Sequence, residues 1–557
     1  MTSDKPPLIP TLRPYQKDWL SADISAGLLV AILIVPQAIA YAFLAGLPAE
    51  AGLYAALLPL VVYALLGTSP TLAVGPVAIV SLMTLEALAP LATDAIPLAV
   101  YASGLALLVA GFLLLFYLIG LGNWTSFISH SVISAFTSAA AIVIILNQVK
   151  HFTGLEIPKG HNFEPLVYLW NFAADIFWPA LILAGGTLAM LIIWPKIAAG
   201  KLAKAGPMLA VVSGIAAVLF SGVEVSTVGQ IPSGLPIFQL PELFIQHSAN
   251  IDWHALLPSA AIIALIAYLE SLSVATAMGL QTRSRIEPNR ELLALGFANI
   301  AAAISQAYPV AGGFGRSMVN MSAGAKTQLA AIVTAIFVAI VCLFFSDWFV
   351  NLPKATLGAI IVAAVIPLIN WRDGLKAWQF NKSDGVIWLI TFIAVLASNA
   401  ETGIFIGILL SLTLYLRRSS QPHIAEVGRY QESDHFRNID RHQVTTCPNI
   451  LMIRIDENLY FANSQYLQDF IEFKLKDSKD IQHIILIGSA INHIDFNGYE
   501  TLISIIQKLK ERNILLHLAE FKGPITDQLK TTKLIEKLSP GRLFFTASEA
   551  MKELGGR

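Results

Sequence analysis

Two ionisable residues stand in stretches otherwise fit for lipid. Glu270 lies in the middle of ALIAYLESLSVATA, and Arg316, in SQAYPVAGGFGRSMVN, is the one cation that falls inside a membrane-length segment instead of a loop. A charge at the bilayer centre costs about 2.5–3.5 kcal/mol on insertion scales, so such residues face cavities and mark the paths of ions or protons. A carboxyl at that depth can couple a proton or a cation; its bland alternative is a hydrogen bond to a neighbouring helix. Beside Arg316, the glycines at 312, 313 and 315 permit close backbone approach. A half-helix starting there points N–H groups and a positive dipole end into the same space. Guanidinium and helix start together are anion-binding chemistry. Arg316 could instead pair with Glu270 or Glu401 to hold helices together, and both hold in turn if substrate displaces the pair.

The first half of the chain offers a matching set. Gly75-Pro76-Val77 reads as a second half-helix start, where proline at a first turn wastes no donor. Gln37, in VPQAIAYA, is the sole strongly polar residue in the middle of its segment, as Glu270 is in its own. From Gln37 to Gly75 is 38 residues, and from Glu270 to Gly312 is 42. Polar residue and broken helix thus recur in corresponding places, as in transporters built from inverted repeats. Pro36 reads as a kink or break that frees backbone groups near Gln37. Asp23 and Glu86, near segment ends, read as snorkelling or interfacial residues, and Glu401 as a helix cap. GGFGRS lacks the Lys-Ser/Thr of a phosphate-binding loop and no strand precedes it, so no ATP site is assigned.

Positioning these residues falls to elements shaped by lipid. The 557 residues are 55% apolar and 13% charged, with a net charge of −1. Soluble domains carry roughly 25% charge, so a soluble enzyme is nearly excluded. The charge is unevenly placed: 36 of the first 416 residues are charged, against 37 of the last 141. Membrane-length apolar segments fall at 21–45, 51–66, 71–88, 97–119, 129–149, 175–194, 207–221, 255–279, 291–304, 312–324, 326–346, 354–370, 382–399 and 401–416. Those starting near Gly75 and Gly312 are short of the roughly 20 residues a crossing needs and must be shielded by protein. Thirteen Lys/Arg fall in loops on one side and three, Lys150, Lys159 and Lys354, on the other, which places both ends of the chain in the cytoplasm.

Beyond Arg417-Arg418 the period changes. Apolar runs at 450–455, 483–487 and 514–518 alternate with amphipathic stretches near 463–476, 496–512 and 524–538, the pattern of a small α/β domain. The division expected is a cytoplasmic arm 1–20, a transmembrane anion transport domain 21–418, a linker 419–442 and a cytoplasmic domain 443–557. Two cysteines, Cys342 and Cys447, make no disulfide framework or metal cluster, and the charge balance leaves no footprint for nucleic acid.

Four segments, DISAGLLVAILIVPQAIAYAFLAGLPAEAGLYAA (23–56), GTSPTLAVGPVAIVSLM (67–83), AYLESLSVA (267–275) and YPVAGGFGRSMVN (308–320), resemble the hallmark segments of the SulP anion permeases, relatives of sulfate and chloride exchangers and of prestin. The resemblance implies an all-α polytopic membrane protein, with fourteen transmembrane segments in a seven-plus-seven inverted repeat. It also implies core and gate domains of the uracil-permease type, a homodimer, and substrate held between the starts of helices 3 and 10. By motif position, Gln37, Tyr41, Gly75, Val77, Phe314, Gly315 and Arg316 would form the anion site. The family often carries serine where Gly315 stands, so a hydroxyl contact passes to backbone or water. Members with Glu at the Glu270 position look proton-coupled or sodium-independent, which makes Glu270 the proton-coupling residue. The tail resembles the STAS domain, with Phe496 where related regulators carry a phosphorylated serine. Phosphorylation there is closed off, leaving dimer contact, trafficking or a cytoplasmic protein partner.

The expectation is a secondary active anion transporter of the inner or plasma membrane, without cofactor or enzymatic activity, moving sulfate with a proton. Bicarbonate, a dicarboxylate, an uncoupled anion channel and a membrane-tethered signalling protein are the rival readings.

Overall fold

The computed structural model describes residues 15–91, 97–122, 129–158, 161–198, 202–222, 224–236, 253–431, 433–476 and 480–555. It divides into two compact units, Met1–Leu409 and Leu410–Arg557.

Unit one is helical because its apolar runs must satisfy their own backbone groups away from water. Its first half holds α1 (Leu20–Leu44), α2 (Ala49–Ala55), α3 (Leu58–Leu66), strand β1 (Val74–Gly75), α4 (Ala78–Leu88), α5 (Leu98–Leu118), α6 (His130–Thr153), α7 (Glu164–Asn171), α8 (Trp178–Ile197) and α9 (Gly206–Ser221). The second half holds α10 (Trp253–Thr282), α11 (Pro288–Ile304), strand β2 (Ala311–Gly312), α12 (Phe314–Ser322), α13 (Leu329–Phe344), α14 (Lys354–Val365), α15 (Trp371–Phe380), α16 (Lys382–Ala397) and α17 (Ala400–Ser420). Among the described residues, nine helical stretches are long and apolar enough to cross a membrane, and Ala78–Leu91 and Leu329–Phe344 are shorter apolar helices.

The helices pack in two groups. α1 to α5 lie mainly against one another and against α10 to α13, whereas α6, α8, α9, α14, α15 and α16 form the second group. Small residues set the spacing within the first. A methyl added to Gly27 of α1 would come within 2.5 Å of Ala330 O of α13. α1 continues through Pro36 without a break, and, against expectation, 51–66 is two helices parted at Ala56 and Leu57. The stretch around Arg372 and Lys376, read as a loop, is the amphipathic helix α15, with Trp371 and Phe380 exposed. Aromatic residues on such a helix suit the membrane–water boundary.

Unit two carries a six-stranded sheet in the order β4-β3-β5-β6-β7-β8. The strands are β3 (Ile424–Arg429), β4 (Phe436–Asn438), β5 (Ile450–Ile455), β6 (His483–Ile487), β7 (Leu515–Ala519) and β8 (Leu543–Phe544). β5 to β8 are parallel and connected through α18 (Ser464–Lys476), α19 (Phe496–Glu511), α20 (Gly523–Thr531) and α21 (Leu534–Leu538), before α22 (Ala547–Glu553) ends the domain. The stretch read as linker supplies β3 and β4, because β3 pairs antiparallel with β5 and extends the sheet. Leu467, Leu486, Leu502 and Leu518 meet in a core on one sheet face.

Candidate functional site

β1 and β2 pair antiparallel, Val74 with Gly312 and Gly75 with Ala311. A short helix follows each strand: α4 from Val77 and α12 from Gly313, neither with a side-chain cap on its first N–H groups. The first turns of both line one cavity of about 330 Å3, together with Gln37 and Tyr41 of α1 and Glu270 of α10. Its remaining wall is Ala363, Ala364 and Val365 at the end of α14, with Pro367 and Leu368 beyond. Seven of the eight residues singled out from sequence therefore line the same space: Gln37, Tyr41, Val77, Glu270, Phe314, Gly315 and Arg316. Gly75 lies one layer behind, where an added Cβ would sit 3.5 Å from Arg316 Nη2.

Arg316 is 3% exposed. Its Nη1 donates to Pro76 O at 2.5 Å, which ties α12 to the entry of α4. Nε and Nη2 are buried without a partner, as is Oε2 of Glu270. Among the described residues no carboxylate lies within ion-pair distance of Arg316, so the Arg316–Glu270 and Arg316–Glu401 pairs are unformed in this structure. Glycine at 313 is what lets the guanidinium fold back, since a Cβ there would stand 2.8 Å from Nη2. Around Gly315 there is open space within 4 Å.

The β1–β2 ribbon and the non-helical segment 69–77 that leads through it are held by polar residues, of which only Ser271 stands out in the sequence, as a serine beside Glu270. Non-helical backbone inside a membrane needs protein partners. Ser317 Oγ donates to Gly313 O and accepts from Ala73 N, at 2.7 and 2.9 Å. Asn320 Nδ2 donates to Thr71 O at 3.0 Å, and Gln328 Nε2 to Ser69 O and Leu72 O at 2.6 and 2.9 Å. Asn299 pairs with both backbone groups of Val310, and Ser271 accepts from Gly312 N at 2.7 Å while bonding its own helix at Ala267 O. The one available signal was spacing: 320 lies one turn beyond Arg316, and 317 and 320 are neighbours on the helix surface.

Asp23 is a correction. It is fully buried, and its carboxylate accepts from Lys326 N, Thr327 N and Thr327 Oγ1 at 2.6, 3.1 and 2.7 Å, fixing the approach to α13. Glu291, also fully buried, accepts from Tyr63, Thr68 N and Thr68 Oγ1. Both carboxylates are occupied by structural donors, whereas Glu270 keeps a free oxygen.

The profile of the Sulfate permease family matches residues 20–391, and that of the STAS domain residues 441–550. The chain belongs to the sulfate permease family. It is 35% identical over 561 aligned residues to Sulfate transporter 4.1, chloroplastic, of Arabidopsis thaliana, covering 97% of this chain and 81% of that one. This permease also superposes on the murine Solute Carrier 26 family member A9 anion transporter, in its inward-facing state, with a TM-score of 0.89 at 21% identity; 98% of this chain and 94% of that chain are covered. With the transmembrane domain of the cyanobacterium bicarbonate transporter BicA the TM-score is 0.60 at 22% identity, over 72% of this permease and 98% of that chain. The permease is thus a predominantly helical, multi-pass membrane protein with a C-terminal STAS domain.

Proposed function

We propose that this permease takes up sulfate with protons and without sodium, as a secondary active transporter working by alternating access. The observation that carries the reading is Arg316: a buried guanidinium with two unpartnered nitrogens, at a cavity lined by the first turns of two uncapped helices. Positive dipole ends and a fixed cation suit an anion stripped of water. The name of a relative, Sulfate transporter 4.1, supports sulfate as the anion. Gln37, Tyr41, Val77, Phe314, Gly315 and Arg316 bind the anion, with Gly75 giving room behind the arginine. Glu270, on the same cavity wall, takes the proton on its unpartnered carboxyl oxygen. The fourteen-span, seven-plus-seven arrangement, with the first helix group as core and the second as gate, belongs to the same reading. So do a homodimer, cytoplasmic termini in an inner or plasma membrane, and a STAS domain that receives a cytoplasmic protein partner.

Uptake of labelled sulfate into proteoliposomes tests it. An inward proton gradient should drive accumulation, and E270Q should abolish accumulation while leaving sulfate exchange. Gradient-independent uptake would point to a channel, and preference for bicarbonate over sulfate would move the substrate.

A further inference from the structure

The surface of α15 falls into three arcs, because each residue turns about 100° around a helix axis. Asp373, Gly374 and Ala377 form the packed arc, where a Cβ on Gly374 would lie 2.7 Å from Trp388 Cδ2 of α16. Trp371, Leu375 and Trp378 recur at four- and three-residue spacing and form an apolar arc. They are nevertheless 72%, 64% and 48% exposed within the chain. Arg372, Lys376 and Gln379, all exposed, fill the arc between these two. Protein on one side, apolar surface on the next and cations on the third is the layout of a helix lying in a membrane interface.

Two neighbouring features say what covers the apolar arc. α16 begins one residue beyond α15, and its Leu389, Ile390 and Ile393 are exposed in an apolar run, so the arc continues a lipid-facing surface. The charge beside it is of one sign. Asp373, the one carboxylate of α15, is turned to the packed arc, where it accepts from Asn370 Nδ2 at 2.7 Å. Lys376 Nζ lies 4.0 Å from it with its side chain 77% exposed, and such a pair holds an ammonium weakly. Arg372 and Lys376 stand one turn apart, with exposed Lys382 at the start of α16. On the orientation set by loop charge these cations are cytoplasmic, and that leaflet carries the acidic lipids.

The same helix prolongs the wall of the central cavity. Pro367 and Leu368 line that cavity, and only Ile369 and Asn370 separate them from Trp371. Ser138 of α6 grips this joint: its Oγ accepts from Asn370 N at 3.0 Å and donates to Leu368 O at 3.4 Å. A shift of α15 therefore reaches the wall through two held residues. We propose that α15 is a docking surface for anionic phospholipid of the cytoplasmic leaflet. Trp371, Leu375 and Trp378 seat among the acyl chains, Arg372 and Lys376 bind the lipid phosphate, and the bound lipid steadies the cavity wall at 366–370.

From the transport reading this inference takes only the side of the membrane, and its test needs no transport, so either can fail alone. The full-length protein is placed in nanodiscs of phosphatidylcholine, alone or mixed with phosphatidylglycerol, and hydrogen–deuterium exchange is followed peptide by peptide. Peptides covering Trp371–Phe380 should exchange several-fold more slowly with phosphatidylglycerol present, and those covering 366–370 should slow with them. R372Q/K376Q should abolish the difference. R283Q/R285Q removes the same charge from exposed residues elsewhere on that side and should keep it. W371Q/L375Q should speed exchange of α15 in both lipids. Equal exchange of the parent protein in the two lipids overturns the proposal, as does a difference that survives R372Q/K376Q or disappears in R283Q/R285Q. Unchanged exchange in W371Q/L375Q overturns the seat among acyl chains, and slowing confined to α15 overturns the link to the cavity wall.

Discussion

Arg316 and Glu270 were legible because lipid makes charge scarce, so two ionisable residues in apolar runs carried more information than dozens in the tail. Ser317, Asn320, Gln328 and Asn299 were not, since small polar residues are common in membrane helices and only the fold reveals which backbone groups they serve. Asp23 misled for a related reason: position near a segment end says nothing about whether a neighbouring chain covers it. Two predictions belong at this scale. R316A should weaken sulfate binding about ten- to a hundredfold by isothermal titration, because a buried charge-assisted contact is worth about 1.5–3 kcal/mol. R316K should rescue little, since an ammonium cannot hold Pro76 O and the cavity at once in a guanidinium's fork geometry. G315S should fold normally, given the open space at that position. The hydroxyl it adds at the cavity wall should shift the ratio of sulfate to bicarbonate uptake in competition assays.

At the scale of elements, apolar length found most helices, and the broken ones announced themselves by glycine and proline. Periodicity missed α15, whose charges imitate a loop, and β3 and β4, which need β5 as a template before they are strands at all. What the sequence could not convey is that two stretches more than two hundred residues apart share a two-residue ribbon. That ribbon sets where α4 and α12 begin, and its supports should be sensitive. N299L leaves both backbone groups of Val310 unpaired in an apolar setting, at about 1–3 kcal/mol for each. Purified N299L should melt well below the parent protein in a detergent thermal-shift assay, with sulfate affinity falling alongside.

Over the whole molecule, the contrast in charge between the first 416 residues and the last 141 separated a lipid-facing body from a water-facing one. The second body has its own sheet and its own core, and its stability should respond to acid through a buried histidine. His517 is 1% exposed, and its Nε2 contacts His483 Nδ1 at 3.2 Å. Burial, with smaller contributions from His483 and Arg542, pushes its pKa down to about 4. A depressed histidine is neutral when folded, so the unfolded chain binds the extra proton between the ordinary value near 6.5 and about 4. Stability should be full above that window and fall as pH drops through it. Thermal unfolding of residues 421–557 should show this decline, and H517Q should flatten it.

The segment from Ser69 to Val77 leads from α3 through β1 to α4. It contains no helix and only two strand residues, yet its polar groups are gripped by Ser317, Asn320 and Gln328 from the other half of the chain. Backbone of that kind usually trades its amide hydrogens with solvent quickly. Here the amides of Leu72 to Gly75 should be among the slowest to take up deuterium, and in S317A they should exchange together, as one cooperative unit coming loose.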